Sequence, residues 1–356
     1  MKIGYACICL DPQFHFETCI QKFATESRLR NIIRANLATL QKLLEYNAGH
    51  SIRMYRLSSD LIPFGSSPVN TIPWLDEFAA QFQSLGDYVR EHGMRVSLHP
   101  GQYCVINSPR EEVVTRSIDE LLYHASILEA MGLDATHKMI LHVGGIYGDK
   151  QQAIQRFARV YRRLDPIIQK HLIIENDDRY YTIEDVLYLS AQLSIPVVFD
   201  NLHHAMLPPP VERTQLEWLR LVSGTWKKED GIMKIHFCQQ DVKKRKGAHA
   251  MHIDADTFLE FIREREGLDM DIMLEVKDKN ISAIKCRNLL KRCRMHKRSG
   301  SDTGCCFYST VPACMRSGIR LCTAAVGFKV LIFIMYARIS AEECTPLRMF
   351  RVCCSM

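Results

Sequence analysis

Nine residues that could do chemistry stand in or just beyond short apolar runs of the sequence: His99, His142, Glu175, Asp200, His203, Lys234, His236, His249 and Glu275. Imidazole and carboxylate donors gathered in one place bind divalent cations. This mixed set suits Mn²⁺, Zn²⁺, Fe²⁺ or Co²⁺ better than Ca²⁺, and it is unlike an all-protein Mg²⁺ cage. Five imidazoles and three carboxylates exceed what one ion needs, but with shared carboxylates they suit two or three neighbouring ions. Such clusters clamp a phosphate, generate a nucleophile from water and stabilise a leaving oxygen. Without cations, three carboxylates buried together would repel one another and protonate. A single strand-end histidine is more commonly a satisfied structural residue, so the reading rests on the coincidence of all eight donors. No Ser-His-Asp or Cys-His nucleophile pattern is needed.

These residues lie far apart in sequence, so a particular fold must gather them. The apolar runs cover 2–8, 52–57, 94–98, 138–141, 172–174, 196–199, 233–237 and 271–276. They are short, rich in Ile and Val and not alternating, as expected of parallel strands buried on both faces. Helical patterns fill the gaps: Ile33, Leu37, Leu40 and Leu44 share one face, and similar patterns cover 74–92, 111–131, 150–170, 183–193, 211–222, 256–266 and 281–290. Eight strand–helix units predict an α/β chain forming a TIM-like (β/α)₈ barrel over 1–290, in which every strand end meets at one rim. A doubly wound open sheet is the rival, but no Gly-x-Gly-x-x-Gly follows the first strand. His15, His50, His92, His137 and His171 fall outside the strand ends and read as surface or loop residues, and His204 is ambiguous.

The chain has 356 residues, 47% hydrophobic and 24% charged, which excludes long-range disorder and fibrous classes. Its net charge of +6 is not an argument for nucleic acid. From Arg287 onward there are 12 Lys and Arg against 3 Asp and Glu, a net +9, which leaves −3 for the rest. Nine of the 14 cysteines also lie from Cys286 onward, two pairs of them adjacent. The segment 291–356 therefore reads as a Cys-rich basic extension outside the barrel, and a metal module, a disordered tail and unselected sequence are the competing readings. The five earlier cysteines have no paired spacing and no cleavable signal precedes them, so a reduced, cytoplasmic protein is expected. No run is long enough to span a bilayer; the nearest, 324–337, contains Lys329.

Several stretches together carry a resemblance. His99-Pro100-Gly101-Gln102-Tyr103, the run from His142 to Lys150, Glu175-Asn176-Asp177-Asp178, Asp200-Asn201-Leu202-His203-His204, the run from Lys243 to His249, and the run from Asp271 to Lys277 resemble the UV damage endonuclease family. The likeness runs in order from Met1 to about Lys285 and does not cover the extension. It implies a barrel related to the apurinic-site endonucleases and a DNA repair activity: hydrolysis of the phosphodiester immediately 5′ to a UV photoproduct. It implies Mn²⁺ as the metal, with Zn²⁺ or Co²⁺ as alternatives, held by His99, His142, Glu175, Asp200, His203, His236, His249 and Glu275. Glu175 and Glu275 would bridge ions or orient the nucleophile. Lys234 matches a lysine that is carboxylated in some members, which would relieve an ammonium set among cations. The chain departs from the family at Ser66-Ser67-Pro68, where members often have a histidine at the position of Ser67, so one of three metal sites would be coordinated differently here.

The resemblance also assigns contact with damaged DNA to Gln102, Tyr103 and Tyr5. A planar amide beside an aromatic ring can stack and hydrogen-bond where bases stood. Photoproducts weaken pairing, so extruding such nucleotides costs less than extruding normal ones. Lys243, Lys244 and Arg245 head the one dense basic run of the barrel segment, set between two proposed ligands, and are expected to meet phosphate. Lys150 either reaches a phosphate or opens a helix. The expected partner is double-stranded DNA carrying UV lesions, acted on by a monomer. Sugar isomerases, general abasic-site nucleases and a non-enzymatic damage binder are the alternatives.

Overall fold

The computed structural model describes residues 1–298, 324–326 and 329–331, with side chains as far as 293. The chain divides into two compact units, Met1–Met295 and His296–Met356. In the second, β9 (Ala324–Val326) pairs antiparallel with β10 (Lys329–Leu331); the adjacent cysteine pairs lie outside the described residues.

The first unit is a closed barrel of eight parallel strands: β1 (Ile3–Ala6), β2 (Met54–Arg56), β3 (Arg95–Leu98), β4 (Lys138–His142), β5 (Leu172–Glu175), β6 (Val197–Asp200), β7 (Lys234–Phe237) and β8 (Asp271–Leu274). Each strand pairs with the next, and β8 returns to β1 with Ile3 opposite Ile272. β1 and β2 lie so close that a Cβ on Gly4 would sit 2.1 Å from the Met54 carbonyl oxygen. The helices are α1 (Glu26–Gly49), α2 (Trp74–Glu77), α3 (Ala79–Glu91), α4 (Glu111–Ala130), α5 (Lys150–Tyr161), α6 (Pro166–His171), α7 (Ile183–Leu193), α8 (Asn201–Met206), α9 (Gln215–Ser223), α10 (Ala255–Glu264) and α11 (Asn280–Arg298). Among the described residues no helix is long and apolar enough to cross a membrane.

Local chemistry sets the boundaries. The pattern over 150–170 breaks because Pro166 opens a new helix and Asp165 caps it at the Ile167 amide. The pattern over 211–222 begins only at Gln215, where Thr214 and Glu217 form a capping box. α8 has no counterpart among the periodic segments: six residues are too few for a periodic signal, and Asp200 caps it through the His203 amide. α11 continues past 290 to Arg298.

The two-residue period of the strands sorts side chains into two populations. Tyr5, Tyr55, Leu98 and Phe237 join the large core between sheet and helices. Their neighbours face the barrel axis, where Ala6, Met54 and Met273 pack together, as do Ile140, Ile173 and Val198. Below these apolar layers, at the N-terminal ends of the strands, a floor of charge closes the barrel. Arg95 Nη1 lies 3.1 Å from Asp271 Oδ2, and Lys138 Nζ lies 2.5 Å from Asp230 Oδ1. His137 and His171, expected at the surface or in loops, are buried nearby. Nδ1 of His171 is 2.6 Å from the His137 carbonyl and its Nε2 is 2.8 Å from Glu129, because the helix-to-strand turn folds both rings inward.

Asp271 also accepts the Lys2 amide, tying β8 to the chain start. Replacing Asp271 with Ala should strand Arg95 and lower unfolding free energy by about 3 kcal/mol or more. Urea denaturation measures this, and a loss below about 1 kcal/mol would contradict the role given to the floor.

Candidate metal centre

The ladder sets proposed ligands side by side at the C-terminal strand ends. His142 is in register with Glu175 on the next strand, and Asp200 with His236. Two groups of donors result: His99, His142 and Glu175, and Glu175, Asp200 and His236. Within each, the donor atoms lie within 4.8 Å of one another. Glu175 belongs to both and spreads its oxygens between them, with Oε2 3.2 Å from His99 Nε2 and Oε1 2.6 Å from His236 Nδ1.

The environment suits a cation. Burial holds His99 and His236 well below the ordinary imidazole range and takes His142 down to about 4, so these rings are neutral, the form that ligates metal. Burial, aided by Asp200 and Glu275, pushes the Glu175 carboxyl well up. Asp200 is raised by burial too. These are carboxylates short of positive charge. Asp200 Oδ2 and His142 Nδ1 are buried with no hydrogen-bond partner among the described residues. Three rings are tethered through Nδ1 to backbone carbonyls: His99 to Pro100 at 3.0 Å, His203 to Asn176 at 3.0 Å and His249 to Glu275 at 2.5 Å. An Nδ1–H spent on a carbonyl leaves the lone pair on Nε2, as metal-ligating histidines are commonly arranged. The donor set therefore fits a divalent ion.

Other predicted residues are placed as follows. His203 Nδ1 lies 3.7 Å from Glu175 and 3.8 Å from Asp200, and neither His203 nor His249 joins the two donor groups. Lys234 lies two residues before His236 on the same strand face, fully buried. Its Nζ has no hydrogen-bond partner among the described residues, and burial holds it well below the ordinary lysine range. Ser67 accepts the Val69 amide at 3.3 Å and lines a recess with Ser66, Tyr103 and Glu120. Gln102 and Tyr103 are exposed on the loop after β3, Tyr103 to 69%. Lys243, Lys244 and Arg245 are exposed on the loop after β7, with Lys244 3.5 Å from Asp241. Lys150 opens α5 and pairs with Asp185 at 2.5 Å. His204 turns to the core, against Phe199 and Trp218.

Tyr5 stands apart from the exposed rim: it is fully buried and its hydroxyl donates to Asn47 Oδ1 at 2.9 Å. The strand period is the reason: Gly4 and Ala6 take the axial face of β1, and Tyr5 must point into the helix layer.

The profile of the family described as UV-endonuclease UvdE matches residues 1–301. A Clostridium perfringens UV DNA damage endonuclease is 43% identical over 294 residues, covering 82% of this chain and 71% of that protein. A Bacillus cereus UV DNA damage endonuclease is 32% identical over 288 residues, covering 80% and 90%. The solved structure of SacUVDE superposes with a TM-score of 0.78 at 38% identity, covering 83% of this chain and 99% of that one.

Three residues of the centre have a role that the sequence did not reveal. Asn176 exchanges two hydrogen bonds with the Asp200 backbone, and Asn201 does the same with Cys238. Each side chain extends the ladder past the last strand residue and fixes where the next donor stands. Arg56 is the third. It ends β2 on the axial face, buried, with Nη2 2.5 Å from Glu275 Oε1 and 2.8 Å from His236 Nε2. Burial works to raise the Glu275 carboxyl, but the Arg56 guanidinium beside it leads the neighbours that outweigh burial and hold it well below the usual range. The signal was present: a charge two residues after Met54, in an otherwise buried run. Arg56→Met should cost the chelator-treated protein about 3 kcal/mol or more by leaving Glu275 buried and unpaired. Urea unfolding in EDTA reads it, and an unchanged midpoint would show that Arg56 does not hold the carboxylate.

Proposed function

This chain belongs to the UV-endonuclease UvdE family, and from that premise we propose that it is a DNA repair endonuclease acting at UV lesions through divalent ions held at the barrel mouth. The observation that carries the metal reading is the pair of donor groups sharing Glu175, with His99, His203 and His249 tethered so that Nε2 is free to ligate. The ions, with Mn²⁺ first, would supply Lewis acidity at the phosphate and bring the pKa of bound water down toward neutrality. His99, His142 and Glu175 would hold one, and Glu175, Asp200 and His236 another, with His203, His249 and Glu275 completing the set. An ion taken by His236 through Nδ1 needs the proton on Nε2, so Arg56 would release that ring and keep Glu275 alone.

The chain's own groups do the rest. Burial draws Lys234 well below the ordinary lysine range, toward the amine form that reacts with carbon dioxide, which supports its carboxylation. Gln102 and Tyr103 stand exposed on the same rim, where they would enter the gap left by an extruded photoproduct. The basic loop after β7 would take phosphate. The bond cut is the one immediately 5′ to the lesion.

The test is nicking of supercoiled plasmid, UV-irradiated against untreated, in Mn²⁺. Only irradiated plasmid should be cut, EDTA should stop it, and Glu275→Gln should slow it at least about a hundredfold. Equal cutting of untreated plasmid, or preference for abasic over irradiated DNA, would overturn the lesion reading. Full activity in EDTA would overturn the metal reading.

A further inference from the structure

We propose that Glu120 is a positioning residue that fixes the damage-reading loop, acting through Tyr103. This rests on the reading of Tyr103 as a DNA contact. Ser117, Glu120 and His124 share one face of α4 at helical spacing, with Tyr123 beside them. That face holds two rim loops. The loop after β3 is anchored at Ser117, whose hydroxyl accepts the Val105 amide at 2.9 Å and whose carbonyl accepts Cys104 Sγ at 3.5 Å. The loop after β2 is anchored at Tyr123, which accepts the Ile62 amide at 3.1 Å and donates to the Ser59 carbonyl at 2.9 Å, and at His124, whose Nε2 is 3.0 Å from Ser59 Oγ.

Glu120 joins the two loops. Its Oε2 accepts Ser66 Oγ at 2.5 Å, from the loop after β2, and its Oε1 lies 3.4 Å from the Tyr103 hydroxyl, from the loop after β3. The carboxylate is 6% exposed, whereas Tyr103 is 69% exposed, so a buried acceptor grips the far end of a ring that otherwise stands in solvent. The near side of the ring is fixed as well. It lies over Gly101, where a Cβ would come within 2.4 Å of it. A tyrosine held at both ends keeps little rotamer freedom to lose when DNA arrives, which is how preorganisation raises affinity. Glu120 reaches no proposed metal ligand by a side-chain hydrogen bond among the described residues, so its influence falls on binding rather than on the bond-breaking step.

The experiment is steady-state nicking of irradiated plasmid in Mn²⁺ by the full chain, with the wild type, Tyr103→Ala, Glu120→Ala, Glu120→Gln and the double alanine variant, each checked by thermal melting. Glu120→Ala should raise KM roughly three- to tenfold with kcat nearly unchanged. Glu120→Gln, which keeps an acceptor and the side-chain volume, should recover most of that. In the Tyr103→Ala background, Glu120→Ala should add nothing. Wild-type KM in Glu120→Ala beside an impaired Tyr103→Ala would overturn the inference alone, as would additive effects in the double variant. Wild-type KM in Tyr103→Ala would overturn the reading of the loop and this inference with it. Should Glu120→Ala not fold, Ser66→Ala releases the other oxygen and should raise KM in the same direction; an unchanged KM there overturns the proposal.

Discussion

Glu175 and Asp200, buried, and Glu275, partly buried, crowd one another, and the mouth of the barrel is organised around the charge they would carry. Coulomb repulsion between such groups grows as the surrounding dielectric falls. Arg56 answers one of them. Lys234, the other basic side chain buried on that face, is drawn by burial well below the ordinary lysine range and hydrogen-bonds none of them among the described residues. The rings of His99, His142 and His236 are neutral as well. What remains is an excess of acceptors and lone pairs over positive charge, in a place that backbone geometry has made rigid. Divalent cations are the chemical species that satisfy both conditions at once.

The other end of the barrel is built differently. There, Arg95 meets Asp271 and Lys138 meets Asp230, so the charges cancel within the protein. Between floor and mouth lie apolar side chains such as Met54, Ile140, Ile173 and Met273. The barrel thus separates a balanced end, which serves stability, from an unbalanced end, which serves chemistry. Barrel enzymes commonly divide their labour this way. Around the unbalanced end, loops supply what a fixed strand cannot: exposed Gln102 and Tyr103, and a run of exposed cations after β7.

Much of this was legible in the residues. Short Ile- and Val-rich runs ending in His, Glu or Asp announced both the parallel sheet and its working rim, since a barrel brings ligand types repeated at strand–helix intervals to one place. What could not be read was the direction of individual side chains. Tyr5 stands at a strand end, yet a shift of one position on a strand reverses the face, and it is core. Arg56 reads as an ordinary charge in a short run, yet the same parity brings it to the axis. Asn176 and Asn201 carry no signal of their own, because an amide that repairs a ladder looks like any loop amide until the neighbouring strand is in place. His137 and His171 read as surface or loop residues for a related reason: the Val96 amide that His137 accepts, and the His137 carbonyl and Glu129 that meet His171, come from distant segments.

The central claim is that the mouth of the barrel is a metal centre built from strand-end residues. The most direct test is a crystal of the full chain soaked in Mn²⁺ and measured on both sides of the manganese absorption edge. Anomalous peaks are predicted between His99, His142 and Glu175 and between Glu175, Asp200 and His236. Crystals that bind Mn²⁺ only elsewhere, with Arg56 still bonded to His236 and Glu275, would contradict it.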